Sequence, residues 1–210
     1  MRLNNTKPFL MGLYLVRGSS KPATFCSRDL VRKVVAGMDV FEAIYNRRSV
    51  RSYKRDLVPE ESLSRVLEAA SRAPSAGNLQ PWRFIIIRDA ARKNALAQAA
   101  LGQSMVAAAP VVVVVCADQR RSGRYYSERG TNLFCIQDTA AAIENLMLAA
   151  FALGLGTCWV GSFDENRAAD ILRIPNSMRP VAIIPLGYPA EHPNPTPRRP
   201  LSEVVQEASS

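Results

Sequence analysis

A single domain that mixes helices with strands is predicted from three observations on the 210-residue sequence. Apolar residues at helical spacing recur in several segments between residues 39 and 187, separated by short β-branched runs. Residues that start helices stand ahead of those segments: Asp39, Pro59, Asp89 and Asp164. The run Val111 to Cys116 is apolar at every position, which fits a central strand covered on both faces.

Taken in order, the first helix is expected over Asp39 to Asn46. Asp39 and Glu42 form a capping-box pair, and Phe41, Ile44 and Tyr45 form one apolar face. A second helix runs from Pro59 to about Arg72, carrying Leu63, Val66, Leu67 and Ala70. Residues 73–82 hold two prolines, a glycine and small polar residues, and read as a loop. Arg83 to Arg88 reads as a strand with Phe84 to Ile87 buried, and Asp89 caps a helix to about Leu101. Residues 118–131, polar and rich in arginine and tyrosine, read as a mobile excursion that would serve as a lid. Residues 132–153 form the longest helix, apolar most of the way round, and Gly154 ends it. Burial on more than one side is required there, by a core or by a dimer partner. Thr157 to Phe163 is extended, Asp164 caps a helix to Leu172, and Val181 to Leu186 is a strand. Pro185 is expected to push the end of that strand towards an edge or a bulge. Residues 189–200 contain five prolines and form an extended arm.

The net charge of +9 is uneven, because residues 1–37 carry +6 of it. That segment reads as a flexible extension, or as upstream sequence ahead of a start at Met38. Its short apolar run Phe9 to Val16 is a weak match to a signal peptide. The remaining chain shows no stripe of charge with interleaved aromatics, so nucleic acid is not an expected partner. No apolar run is long enough to span a bilayer, and no membrane association is expected. Cys26, Cys116, Cys135 and Cys158 form no C-x-x-C pair, which argues against zinc, and reduced thiols in apolar segments fit a cytoplasmic protein. His192 is the only histidine, so Ser-His and Cys-His catalysis are excluded as starting points.

The chemistry-bearing stretch is Arg47-Arg48-Ser49-Val50-Arg51. A guanidinium donates two parallel hydrogen bonds to a phosphate and stays charged. In an extended chain Ser49 and Arg51 share one side while Val50 anchors the other. A solvated basic turn would have the same composition. A second pair, Arg198-Arg199, comes late in the chain and would converge with the first on one phosphate. The loop at Pro74, Ser75, Ala76 and Asn78 offers a hydroxyl and amides to a ligand. Gly154-Leu155-Gly156 is no dinucleotide fingerprint, since the next glycine is Gly161 and the motif follows a helix. Phosphate-binding groups without a catalytic acid or base suit a protein whose chemistry belongs to a cofactor.

Five segments, in this order, resemble the flavin-dependent nitroreductase family. They are Arg47 to Arg51, Pro74 to Trp82, Ala109 to Val113, Gly154 to Gly161 and Pro197 to Pro200. The resemblance covers about residues 39–207. It implies an α+β fold with a mainly antiparallel sheet between helices, an intertwined homodimer, and FMN at the dimer interface. By position it implies that Arg47, Ser49 and Arg51 hold the phosphate and ribityl chain, with Arg48 beside the flavin and Arg198 or Arg199 closing the phosphate site. It further implies that Pro74, Ser75 and Ala76 reach the flavin from the partner subunit, and Asn78 is also expected to bind the cofactor. Val160, Gly161 and Ser162 would face its reactive edge, and Gln103 its pyrimidine edge. The implied reaction is ping-pong: NADH or NADPH reduces the flavin, and an electron-poor small molecule such as a nitroaromatic or quinone then takes its place. Two alternatives stay open, a specialised relative (dehalogenase, enoate reductase or flavin-cleaving enzyme) and a non-enzymatic flavin-binding protein.

Overall fold

The structure, a computed structural model, describes residues 38–208. The expectations placed on residues 1–37 lie outside the described residues. The first helix, α1, spans Val40–Asn46, with the Asp39 carboxylate accepting from the Phe41 N–H. Helix α2 is Glu60–Ser71, opened by Pro59 with Glu60 and Glu61 at its positive end. A 3₁₀ turn at Ala76–Asn78 leads into strand β1, Trp82–Ile87. Helices α3, Ala90–Ala99, and α4, Ser104–Ala108, precede β2, Val111–Asp118. Helix α5 is Gln119–Arg129, and a π turn at Gly130–Phe134 joins it to α6, Cys135–Ala152. Strand β3 is Gly156–Thr157, α7 is Glu165–Leu172 and β4 is Met178–Gly187.

The sheet order is β1-β2-β4-β3, with each neighbouring pair antiparallel. Side chains alternate across a strand, so β2 feeds two cores. Val111, Val113 and Val115 pack with Leu63 and Val66 of α2 and Ile143 and Leu146 of α6. Val112, Val114 and Cys116 pack with Leu96 of α3, Val106 of α4 and Ala168 of α7. This is why β2 is an unbroken apolar run. Each fully buried valine removes enough apolar surface from water to contribute about 1.5–3 kcal/mol.

The α+β class, the antiparallel sheet and most helix limits agree with the sequence reading. Four points differ. Residues 119–129 are helical, with a kink at Ser127 (φ 49°), and lead through the π turn into α6 rather than forming an excursion; the Asp118 carboxylate caps the segment by accepting from Arg121 N–H at 2.9 Å. Strand β1 lies at the sheet edge, and of Phe84 to Ile87 only Ile87 is fully buried. Pro185 lies inside β4, an internal strand, opposite Val112. Pairing with β3 stops at Thr157–Leu186 and resumes at Val160–Ile183, so the proline falls where no ladder bond is asked of it. The girth of α6 is largely consumed within one chain: Ala142 and Leu146 are fully buried against the core. The helical run Gln119–Ala152 is long and apolar enough by composition to cross a membrane, contrary to expectation, but eight residues of α6 are buried beneath its neighbours. Gly154 ends α6 as expected. Its φ of +74° closes a pair of bonds, Gly154 N–H to Phe151 O and Leu155 N–H to Ala150 O, both 2.9 Å.

Candidate functional site

The arginine stretch leaves α1 in extended form, starting at Arg47. Ser49 bridges in parallel to Thr157 of β3, and Val50 N–H donates to Thr157 O at 2.9 Å. Val50 is buried against Gly156, where a Cβ would stand 2.8 Å from the Val50 side chain. A glycine is therefore required there by close approach. With Val50 inside, Ser49 and Arg51 turn outward, as alternation predicts. The Glu191 carboxylate, from the extended arm, accepts from the N–H groups of Arg51 and Ser52. The Tyr53 hydroxyl lies 2.6 Å from Val50 O and 3.2 Å from Pro185 O. Burial pushes that phenol far above its ordinary range, so it stays a neutral donor.

Arg47, Arg48, Ser49 and Arg51 line one cavity of about 120 Å³ together with Thr196 and Arg198 of the arm. The two arginine clusters thus meet, and no carboxylate is in the lining. Arg199 is exposed and outside it. Arg47 is shielded, its side chain 18% exposed, and lies 3.8 Å from Glu144 of α6. Arg48 turns back to donate to Tyr45 O at 2.7 Å and Arg47 O at 2.9 Å, serving carbonyls left open at the end of α1. A larger cavity of about 480 Å³ adjoins, sharing Arg47 and Arg48 and lined by Val50, Phe151 and Leu155. Burial raises the Cys158 thiol above its ordinary value, opposed by Arg51, by a hydrogen bond with Ser49 and by Arg47.

Further along the same edge, Val160 is buried and exchanges both backbone bonds with Ile183 at 3.0 Å, while Gly161 and Ser162 are exposed. Gln103, ahead of α4, donates from Nε2 to Ser162 O at 3.3 Å, which places it beside Gly161 and Ser162.

The loop at Pro74–Asn78 belongs to a different part of the chain's surface. Ala76 N–H donates to Asp138 Oδ1 at 3.1 Å, and Gln80 N–H donates to Ser75 Oγ at 2.9 Å. Gly77 and Asn78 both take positive φ, 58° and 54°, and a Cβ at Gly77 would stand 2.6 Å from the Tyr126 hydroxyl. The loop is held at Asp138 in the first turn of α6, whereas the arginine cavity meets α6 at Glu144. Six residues separate the two by about 9 Å of rise and about 120° around the helix. The lining of the arginine cavity contains none of Pro74, Ser75, Ala76 and Asn78.

Sequence reasoning missed Glu191, Thr196 and Asp138. The first two sit in a proline-rich arm, where a charge or hydroxyl reads as solvated. Asp138 could be suspected, as the one carboxylate on the buried face of α6. Burial raises its pKa, and the Ala76 N–H opposes this.

The fold is shared with solved oxidoreductases, and the sequence profile of the nitroreductase family matches residues 44–106 and 96–188. The chain belongs to the nitroreductase family. It is 39% identical over 195 residues to the NADH dehydrogenase of Thermus thermophilus, covering 80% of this chain and 95% of that one. It is 30% identical to a Bacillus subtilis protein named FMN reductase, NAD(P)H, covering 79% and 72%. Its fold matches the NADPH:FMN oxidoreductase of Vibrio harveyi complexed with NAD+, with a TM-score of 0.75, 26% identity, and coverage of 81% and 77%.

Proposed function

We propose that this protein is an FMN-dependent oxidoreductase that takes reducing equivalents from NADH or NADPH and passes them to an electron-poor small molecule, such as a nitroaromatic or a quinone. The observation that carries the reading is the meeting of Arg47, Arg48, Arg51 and Arg198 around one small cavity without a carboxylate. Like charges so placed repel, and a phosphate dianion is the group that suits them. The residues fit FMN. Arg47, Ser49, Arg51 and Arg198 hold its phosphate, and Arg48 stands at the boundary with the larger cavity. The N–H of Val160 is taken up by Ile183, so Gly161 and Ser162 supply the backbone donors towards the ring. The chemistry that FMN supplies when bound is acceptance of hydride from a reduced nicotinamide and its delivery to the acceptor.

The working unit in this reading is a homodimer. Two features support it: the separation of the Pro74–Asn78 loop from the arginine cavity, which a partner's loop would cross, and the apolar face of α1. Phe41, Ile44 and Tyr45 are 59%, 49% and 69% exposed. Such a face is costly in water and suits a partner. The compartment in this reading is the cytoplasm; Cys116, Cys135 and Cys158 as buried free thiols support it.

The test is spectral. The purified protein should be yellow, lose its flavin absorbance when NADH or NADPH is added without oxygen, and recover it with a quinone. A flavin that neither nicotinamide bleaches would leave only a flavin-binding role.

A further inference from the structure

A second basic cavity lies away from Arg47–Arg51. It measures about 420 Å³ and is lined by Arg83, Arg120, Arg121, Arg124, Tyr125 and Asp118 among others. Among the described residues, none of these four arginines makes an ion pair. The only carboxylate in the lining is Asp118, whose Oδ1 already accepts from the Arg121 N–H at 2.9 Å.

Helix stability does not account for this cluster. Arg120 and Arg121 lie in the first turn of α5, at its positive end, where cations are unfavourable. Arg120 with Arg124, and Arg121 with Arg124, are like-charge pairs at i,i+4 and i,i+3 spacing, which also destabilise a helix. A bound polyanion reverses both penalties. The cavity also has a defined neighbour. Arg121 Nε donates to the carbonyl of Leu79, so the cavity shares a wall with the Pro74–Trp82 loop.

We propose that this cavity receives the phosphates of the reduced dinucleotide. The inference rests on the functional reading above, in which that loop reaches the flavin. A nicotinamide stacked on the flavin beside the loop carries its pyrophosphate, and in NADPH a further phosphate, several ångströms outward. The α5 arginines are the cationic groups on that side of the loop. Arg120 and Arg124 neutralise phosphate charge; Arg121, tied to Leu79, keeps the cavity in register with the loop. The acceptor, which lacks phosphates, makes no use of the site, so it separates reductant binding from acceptor binding in an enzyme where the two follow one another.

The experiment follows flavin bleaching by stopped flow with NADPH, with NADH and with 1-benzyl-1,4-dihydronicotinamide, a hydride donor without phosphate. In the Arg120→Ala/Arg124→Ala protein, the preference for NADPH over the benzyl donor, in apparent affinity, should fall about tenfold, the loss expected from two exposed charge contacts. Arg120→Glu/Arg124→Glu should lower it further, and added salt should reduce the preference in the parent more than in either variant. A fall with NADPH but not NADH assigns the cavity to the extra phosphate; a fall with both assigns it to the pyrophosphate. The alanine variant removes repulsion, so its flavin content and melting temperature should match or exceed the parent's. Variants that keep the parent's preference overturn the proposal while leaving the oxidoreductase reading intact. A parent whose flavin is bleached by none of the three donors overturns that reading and this inference with it.

Discussion

Arg47 combines a shielded position with a weak partner: its side chain is 18% exposed and Glu144 stands 3.8 Å away. A bound phosphate would give it a stronger, charge-assisted bond, so Arg47→Ala should lower FMN affinity by roughly 1.5–3 kcal/mol, about ten- to a hundredfold. The protein should purify pale and regain activity when FMN is added. Arg51→Lys should be milder, since it keeps the charge and loses the fork. Equilibrium titration of the stripped proteins with FMN checks both, and unchanged affinity in Arg47→Ala would remove Arg47 from the site. Glycine 156 gives a second residue-scale expectation. A methyl there would meet Val50 at 2.8 Å, so Gly156→Ala should push the arginine stretch off β3 and cost about 1–3 kcal/mol of stability. Val50→Ala in the same chain should restore part of the loss, as read by denaturant unfolding.

Between elements, α7 and β4 are tied by Glu165 and Arg179, with Nε to Oε2 at 2.7 Å and Nη2 to Oε1 at 2.9 Å. The hydrogen bonds from Arg179 hold the Glu165 carboxyl below its ordinary pKa. A carboxylate depressed in the folded state stabilises above its unfolded pKa, and that contribution is lost as pH falls through the folded value. Both side chains are more than a third exposed, so the effect is under about 1 kcal/mol. Arg179→Gln should flatten the acid limb of the stability curve below about pH 4.5 and leave the neutral limb nearly parallel to the parent's. Much of this architecture was legible in the sequence. Asp39, Asp89 and Asp164 cap helices where expected, and Val111 to Cys116 is the doubly covered strand. Charge and polarity misled at residues 118–131, because a helix with four arginines and a glycine lacks an apolar stripe. The five-residue α4 is too short to show a period. The arginine cavity was legible because guanidinium chemistry is local; Thr196 in its lining and Glu191 on the Arg51 and Ser52 backbone were not, because only the tertiary path of the arm brings them there.

For the whole molecule, the exposed apolar face of α1 is the most direct sign of a partner. Replacing both Phe41 and Tyr45 with Glu should yield a monomer with weakened FMN binding, measured by light scattering and flavin content. A native mass of one chain with FMN bound in the parent would contradict the dimer. Substitutions at Ala142 or Leu146 cannot make that distinction, since both are buried in the core of the single chain and would unfold it in either case. The central claim is that FMN is held through its phosphate by the cavity of Arg47, Arg48, Arg51 and Arg198. The measurement that tests it most directly compares FMN with riboflavin, which is the same flavin without the phosphate. Two or more charge-assisted contacts of about 1.5–3 kcal/mol each predict that FMN binds at least about a hundredfold more tightly, and that Arg47→Ala/Arg198→Ala removes most of the difference. Equal affinity of the parent for FMN and riboflavin would contradict it.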